Sequence, residues 1–189
     1  MKNTGKIIWT TFLFVIILSL FGCNKENLSI NTQSGVRYRI PFGGKVVDYT
    51  NVLVTRAVDG DTLVLETGER VRLIGIDTPE MHESNKLYRD SDRSQQDIET
   101  IKALGRQSYE FTKRLVEGKR VSLEFDVEKF DRYKRMLAYV YLKDGTFVNA
   151  QILKQGYASL MTYPPNVKYA DLFTRLYREA RENNRGLWK

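Results

Sequence analysis

Hydrophobic and polar residues alternate in short runs along the chain beyond residue 44. The runs 45–58, 62–66 and 70–76 are each rich in Val, Ile, Leu or Thr, and residues of these types favour strands. The turn-forming sequences DGD, at 59–61, and TGE, at 67–69, separate the runs. The pattern therefore predicts three strands that follow one another in antiparallel order through short turns.

The spacing of apolar residues becomes helical after residue 103. Leu104, Phe111 and Leu115 recur on one face of a predicted helix, and Gly118 is placed to end it. The strand pattern returns at 120–125 and at 135–142, which are again rich in Val, Leu and aromatic residues.

Two further helices are predicted near the C-terminus. Asn149 can cap a brief helix that Gly156 stops. An amphipathic helix follows, and six of its residues share one face: Tyr169, Leu172, Phe173, Leu176, Tyr177 and Ala180.

Three strands, a helix and two more strands form the element order of an OB-fold. We therefore expect a mainly β member of the α+β class: a five-stranded, partly open barrel with a helix between strands three and four, and C-terminal helices. A composition of 42% hydrophobic and 28% charged residues suits one globular domain, which we place at 45–189. OB-folds often bind oligonucleotides, but a fold alone does not define a function.

The chain starts with a charged segment followed by an apolar one. Lys2 and Lys6 precede the uncharged run 7–22, and Cys23 comes next. As a helix this run would reach about 24 Å, which is short of the roughly 30 Å hydrocarbon core of a membrane. LFGC at its end resembles the lipobox of bacterial lipoproteins. We therefore expect a signal peptide at 1–22, a lipidated Cys23, and a flexible tether through residue 44.

This leader predicts an extracytoplasmic protein that is anchored to the bacterial cell membrane through Cys23. An uncleaved N-terminal helix and ordinary secretion remain as alternatives. Cys23 is the one cysteine of the sequence, so no internal disulfide can form. The formal net charge of +7 suits a polyanionic partner, although a solvated basic surface explains it equally well.

Two aspartates stand at the ends of adjacent predicted strands. If the hairpin turns at residues 68 and 69, Asp61 lies opposite residues 75 to 77 and therefore close to Asp77. Neighbouring carboxylates repel unless a cation neutralises them, and oxygen ligands favour Ca²⁺ or Mg²⁺ over zinc. Each aspartate taken singly is explained by turn or capping chemistry, but the pairing favours a metal site.

Arg72 lies within an otherwise apolar strand. An extended strand would hold its Cα roughly 16 Å from that of Asp77, so the two meet only if the strand bends, and Gly75 is the place for a bend. A buried arginine needs an anionic partner. That partner is either a carboxylate such as Glu80, in a permanent ion pair, or a substrate phosphate.

Four motifs in this order resemble those of the staphylococcal nuclease family: VDGDT at 58–62, RLIGIDTPE at 72–80, DRYKRMLAYV at 131–140 and LKQGYA at 153–158. The resemblance covers about residues 45 to 188. It implies a nuclease that hydrolyses phosphodiester bonds of DNA and RNA with little sugar specificity and leaves 3′-phosphates.

The resemblance also implies a role for each matching residue. The implied calcium ligands are Asp61, Asp77 and the backbone carbonyl of Thr78. The implied catalytic residues are Arg72 and Arg135, which clamp phosphate, and Glu80, which activates water. Tyr133, Tyr163 and Lys134 are assigned to the substrate-binding surface. Ca²⁺ is the implied cofactor, nucleic acid and the membrane are the partners, and we expect a monomer.

The sequence departs from the family pattern at several positions. Lys134 stands where the family has glycine, which affects the bend that aims Arg135. Tyr163 is the one tyrosine kept of an expected pair, and it either stacks on a base or packs in the core. The stretch 81–102 is long, and it is either a substrate flap or a solvated loop. Its candidate substrate contacts are Lys86, Tyr88, Arg89 and Arg93. His82, the one histidine, is interpreted as a solvated loop residue.

Two other function classes fit parts of the sequence. A non-catalytic OB module that tethers nucleic acid at the envelope would explain the charge. Such a module would have no need of the implied catalytic and metal-binding residues, which are all present: Asp61, Arg72, Asp77, Glu80 and Arg135. A surface protein that binds a protein partner or anionic lipid would leave the paired aspartates unexplained.

Overall fold

The computed structural model describes residues 39–42 and 45–189, so the predicted signal peptide and Cys23 lie outside the described residues. The described strands are β1 (Arg39–Phe42), β2 (Lys45–Asp48), β3 (Val52–Ala57), β4 (Thr62–Leu65), β5 (Arg70–Leu73), β6 (Gly75–Asp77), β7 (Arg120–Glu124), β8 (Met136–Leu142) and β9 (Ser159–Met161). The helices are α1 (Asn85–Ser94), α2 (Ile98–Val116), α3 (Val148–Lys154), α4 (Ala170–Glu182) and a short 3₁₀ helix (Gly186–Trp188).

Five strands close into a barrel in the order β3, β4, β5, β8, β7. Strands β5 and β8 pair in parallel, and the other neighbours pair in antiparallel fashion. Each strand places a fully buried aliphatic residue in the interior, namely Val54, Leu63, Val71, Ala138 and Val121. The predicted mainly β OB-fold, with a helix between its third and fourth strands, is confirmed, although the ring is closed rather than partly open.

The predicted helices differ in detail from the observed ones. Helix α2 begins at Ile98, earlier than the apolar spacing indicated, because Asp97 caps it through a hydrogen bond from the Thr100 backbone N–H. Asn149 was expected to cap α3 but lies inside that helix. Its amide group is buried, donates to the Ile74 carbonyl and accepts from the Val140 N–H, so it ties α3 to the barrel instead.

Two regions outside the barrel also differ from the sequence-based expectation. Strands β1 and β2 form an antiparallel hairpin. Strand β1 (Arg39–Phe42) lies within the predicted tether, for which no strand was expected. The polar stretch after Glu80 contains helix α1. Among the described helices, none is long and apolar enough to cross a membrane.

A bend at Gly75 ends the third barrel strand and directs the chain toward the site. Gly75 has a φ of +83°, and after it β6 leaves the barrel and pairs with β9. A Cβ atom at this position would lie 2.4 Å from the ring of Phe173, a fully buried residue of α4. Both the backbone conformation and the close helix contact therefore require glycine, which confirms the predicted bend.

Gly75→Ala is expected to lower the free energy of unfolding by about 3 kcal/mol or more. The left-handed conformation costs an alanine about 1–2 kcal/mol, and the clash with Phe173 adds a penalty of about 1–3 kcal/mol. The measurement is urea denaturation followed by circular dichroism.

Gly68→Ala is the matched control, because Gly68 has a φ of +93° but open space around its missing Cβ. It should show the conformational cost alone. Equal losses in the two variants would mean that contact with α4 does not constrain the bend.

Candidate active site

The hairpin of β4 and β5 does not bring Asp61 opposite Asp77 by its register. Thr62 pairs with Arg72, and the Leu73 N–H donates to the carbonyl of Asp61. Asp61 is thus level with Leu73, and the expectation that it faces residues 75 to 77 across the hairpin was wrong. The bend after Leu73 brings Asp77 back toward Asp61 instead.

Arg72 joins the two aspartates. Its Nη1 lies 2.6 Å from Oδ2 of Asp61 in an ion pair, and its Nη2 donates to Oδ1 of Asp77 at 2.9 Å. The side chain is only 12% exposed. The sequence left two kinds of partner for Arg72, a carboxylate or a substrate phosphate. The structure shows carboxylate partners, and they are Asp61 and Asp77 rather than Glu80.

Asp61 is buried and held by several donors. The backbone N–H and the hydroxyl of Thr78 donate to its Oδ2 at 2.9 and 3.1 Å, and the Thr62 hydroxyl donates to Oδ1 at 3.1 Å. Burial alone would raise the pKa of this carboxyl. The Arg72 guanidinium and the Thr78 N–H outweigh that effect and hold the pKa below its usual range, so Asp61 is ionised.

Helix α2 positions the turn that carries Asp61. The buried Thr112 hydroxyl donates to the carbonyl of Gly60 at 2.7 Å. A Cβ on Gly60 would lie 2.6 Å from the Thr78 methyl group and 2.9 Å from Cβ of Ser108. The turn is therefore packed between the helix and the segment that contains Thr78.

Lys86 is the second cation of the site. Its Nζ donates to the backbone carbonyl of Thr78 at 2.9 Å and lies 3.1 Å from both Oδ1 of Asp77 and Oε1 of Glu80. Three oxygens from the turn at 77–80 thus surround one ammonium group. Two of them, on Asp77 and Thr78, belong to the ligand set that the family resemblance implied.

Helix α1 fixes the position of Lys86. The Ser84 side chain caps this helix by accepting from the Leu87 N–H, and the Leu87 side chain is fully buried. Burial opposes the charge of Lys86, but Asp77, Glu80 and Asp61 outweigh it and raise the pKa of the lysine. The ammonium group of Lys86 is therefore charged and is held in the site by the position of helix α1.

Negative charge still exceeds positive charge around these residues. Burial raises the pKa of Asp77 even though Lys86 and Arg72 lie beside it. Burial, together with the nearby charge of Asp61, raises the pKa of Asp59 to about 7. Within the part of the chain that the structure describes, no three Asp, Glu, His or Cys side chains are grouped so that they could hold a metal.

Comparison with known proteins identifies the family. A family model described as staphylococcal nuclease homologue matches residues 70–189. A thermonuclease of Staphylococcus intermedius is 38% identical over 140 residues, which are 72% of this chain and 75% of that protein. The chain belongs to the staphylococcal nuclease family. This membership confirms the family assignment from the motifs, and with it the prediction of a phosphodiester hydrolase of the nuclease class.

Other relatives of this nuclease family cover the chain to different extents. A thermonuclease of Staphylococcus hyicus is 29% identical over 185 residues, 95% of this chain and 96% of that protein. Endonuclease YncB of Bacillus subtilis is 35% identical over 143 residues, 73% of this chain and 61% of that protein.

Arg135 lies in a tight turn directly before β8, and its ion pair is with Asp131 rather than with Asp61 or Asp77. Its Nε donates to Oδ2 of Asp131 at 2.7 Å, and its backbone N–H donates to Oδ1 of the same carboxylate. Lys134 adopts a φ of +63°, the left-handed conformation that glycine adopts most easily. The bend expected of the family glycine is thus formed by lysine.

The assigned substrate-binding tyrosines are both exposed. Tyr133 is 64% exposed, and the guanidinium of Arg132 lies 4.7 Å from the centre of its ring. Tyr163 is 75% exposed, so the alternative that it packs in the core is wrong. Met161 lies near it on β9 and places its sulfur 3.8 Å from Nη2 of Arg72, which links this exposed surface to the site.

The stretch 81–102 contains two helical segments instead of one loop. His82 precedes α1 and is exposed, in keeping with its interpretation as a solvated residue. Of the four flap candidates, Lys86 reaches the site, whereas Tyr88 is about half exposed. The sequence pattern did not reveal the place of Lys86, because Leu87 is the one buried residue of the otherwise polar helix α1.

Proposed function

We propose that the protein is a calcium-dependent extracytoplasmic nuclease. It hydrolyses phosphodiester bonds of DNA and RNA with little sugar specificity and leaves 3′-phosphates. The observation that carries the proposal is the convergence of two aspartates and the Thr78 carbonyl on cationic side chains, in a chain of the staphylococcal nuclease family.

The donor chemistry fits calcium. Asp61, Asp77 and the Thr78 carbonyl supply only oxygen atoms, which hard divalent cations prefer. These oxygens already contact positively charged nitrogens of Arg72 and Lys86. When calcium is bound, the chemistry it supplies is polarisation of a non-bridging phosphoryl oxygen.

The remaining steps use side chains of this chain. Glu80 orients the attacking water and accepts its proton. Arg72 and Arg135 donate to the phosphate as negative charge grows on it in the transition state. Tyr133 and Tyr163 offer exposed rings on which bases of any sequence can stack. Lys134, next to Tyr133 in the chain, attracts the phosphate backbone of the nucleic acid. Contacts to phosphate and stacking on bases do not involve the sugar, which fits low sugar specificity.

The first expectation concerns metal dependence. With millimolar calcium the full-length protein should cut both plasmid DNA and RNA, and excess chelator should abolish cutting. Millimolar ion is needed because so few protein ligands give a dissociation constant on the order of 10⁻⁴ M. Gel electrophoresis of the products, followed by end-group analysis for 3′-phosphate, measures the outcome.

A different outcome would favour the non-catalytic alternative. Retarded migration of nucleic acid without any cut, at the same calcium concentration, would indicate an envelope-tethered binding module. Cutting that continues in excess chelator would contradict the calcium requirement alone.

Arg72→Lys is expected to reduce turnover about 10²- to 10³-fold, the usual loss when one electrostatic donor to a transition state is removed. Lysine keeps the charge but lacks the planar two-donor fork. It therefore cannot contact two carboxylates and a phosphate together. Turnover is measured with calcium on protein shown to be folded by circular dichroism.

Arg70→Lys is the control, because Arg70 precedes Arg72 on the same strand by two residues but is exposed. Its turnover should stay near that of the parent. If Arg72→Lys melts several degrees lower yet cuts at a near-parental rate, Arg72 serves only as an ion-pair residue and the phosphate clamp is wrong.

Anchoring is proposed from the sequence of the leader, which lies outside the described residues. Cys23→Ala should move the protein from the membrane fraction to the soluble fraction, because the sequence offers no other cysteine for lipid and the apolar run is short for a stable span. Ser29→Ala, in the predicted tether, is the control and should leave the protein in the membrane. Unchanged fractionation of Cys23→Ala would indicate an uncleaved helix.

A further inference from the structure

We infer that Lys86 is a built-in competitor for the divalent cation of this site and thereby sets the affinity of the site for calcium. The inference rests on the proposed function in one respect, namely that Asp77 and the Thr78 carbonyl bind calcium. It assigns a role to a residue of helix α1 that the sequence analysis named only as a candidate substrate contact.

The contacts of Lys86 carry the inference. Its Nζ is within 2.9–3.1 Å of the Thr78 carbonyl oxygen, Oδ1 of Asp77 and Oε1 of Glu80. Calcium binds oxygens at 2.3–2.6 Å. An ion that took Oδ1 of Asp77 and the Thr78 carbonyl oxygen as ligands would lie where the ammonium group now lies, so binding of one cation displaces the other.

The charge balance favours the exchange once calcium is present. The three carboxylates that contact Arg72 or Lys86 within 3.1 Å, those of Asp61, Asp77 and Glu80, carry three negative charges against two positive charges. Asp59, beside Asp61, is not counted because its pKa is raised to about 7. Replacing the ammonium by a divalent ion, while Arg72 stays, makes the three carboxylates and their cations neutral. Without a metal, Lys86 and Arg72 leave one negative charge of these carboxylates unneutralised. This residual charge favours binding of calcium in place of the ammonium group.

A fourth partner for Lys86 lies on its own helix. Oδ2 of Asp90, one helical turn further along α1, is 4.0 Å from Nζ. Pairs at i and i+4 stabilise a helix in this orientation only modestly. Since the buried Leu87 and the Ser84 cap keep α1 in place, the exchange requires only rotation of the lysine side chain toward Asp90.

The competition has a measurable consequence. If the ammonium occupies the site for most of the time, the apparent dissociation constant of calcium equals the intrinsic value divided by the small fraction of molecules in which the site is free. Removing the ammonium should therefore tighten calcium binding, even though a residue that contacts the site is lost. A lysine that served only as scaffold would give the opposite result.

The experiment is isothermal titration of calcium into the full-length protein and into Lys86→Met, which keeps the apolar stem and removes the charge. Lys102→Met is the matched control. Lys102 is 25% exposed against 26% for Lys86, and it also contacts two carboxylates, those of Glu83 and Glu99. The three proteins are also melted with and without calcium.

We expect Lys86→Met to bind calcium at least tenfold more tightly than the parent, and Lys102→Met to bind within about twofold of it. Lys86→Met should melt at a lower temperature without calcium, and calcium should raise its melting temperature by more than it raises that of the parent. If the methionine variant does not fold, Lys86→Gln carries the same expectation.

An unchanged or weaker affinity in Lys86→Met, with the parent binding calcium, would overturn the competition alone and leave the proposed function in place. Failure of both proteins to bind calcium at millimolar concentration would overturn the calcium site itself, and this inference with it.

Discussion

The ion pairs of Arg72 with Asp61 and Asp77 are the interaction on which the site depends. They connect Asp61, just before β4, with the middle of β5 and the end of β6. The hairpin already places Asp61 beside Arg72, but a straight strand would carry Asp77 away from both. A buried arginine without partners is prohibitively costly, and so are two facing carboxylates. The left-handed bend at Gly75 makes the arrangement possible, and packing of Phe173 against that glycine fixes the bend.

Much of the fold was predictable because it is encoded locally. The strands, their turns and the α2 helix follow from apolar alternation and from turn residues that act within a few positions of one another. The bend at Gly75 was also predictable, since no straight strand could join Arg72 to Asp77. The register of the β4–β5 hairpin was not, because three residues, 66–68, form its turn rather than the residues 68 and 69 that the sequence suggested.

The prediction failed where tertiary contacts replace local patterns. Asn149 has the sequence position of a helix cap, yet its buried amide group is used to join α3 to the Ile74 and Val140 backbones. Lys134 takes a conformation usual for glycine because Asp131 accepts hydrogen bonds from the backbone on both sides of it and from Arg135. Such a network offsets a backbone cost of about 1 kcal/mol or somewhat more.

Arg72 can serve the ion pairs and a phosphate together because of its chemistry. A guanidinium group has five N–H donors in one plane, and the contacts with Asp61 and Asp77 use one nitrogen each at its two ends. Nη2 also lies 3.8 Å from the sulfur of Met161, a residue that is nearly half exposed. The outer edge of the group therefore faces the surface that carries Tyr163. Burial supplies a low-dielectric environment in which the remaining donors act strongly on charge that develops beside them. Under the proposed function, the same arginine would hold the site together and stabilise a phosphate, a combination that requires its planar fork and not its charge alone.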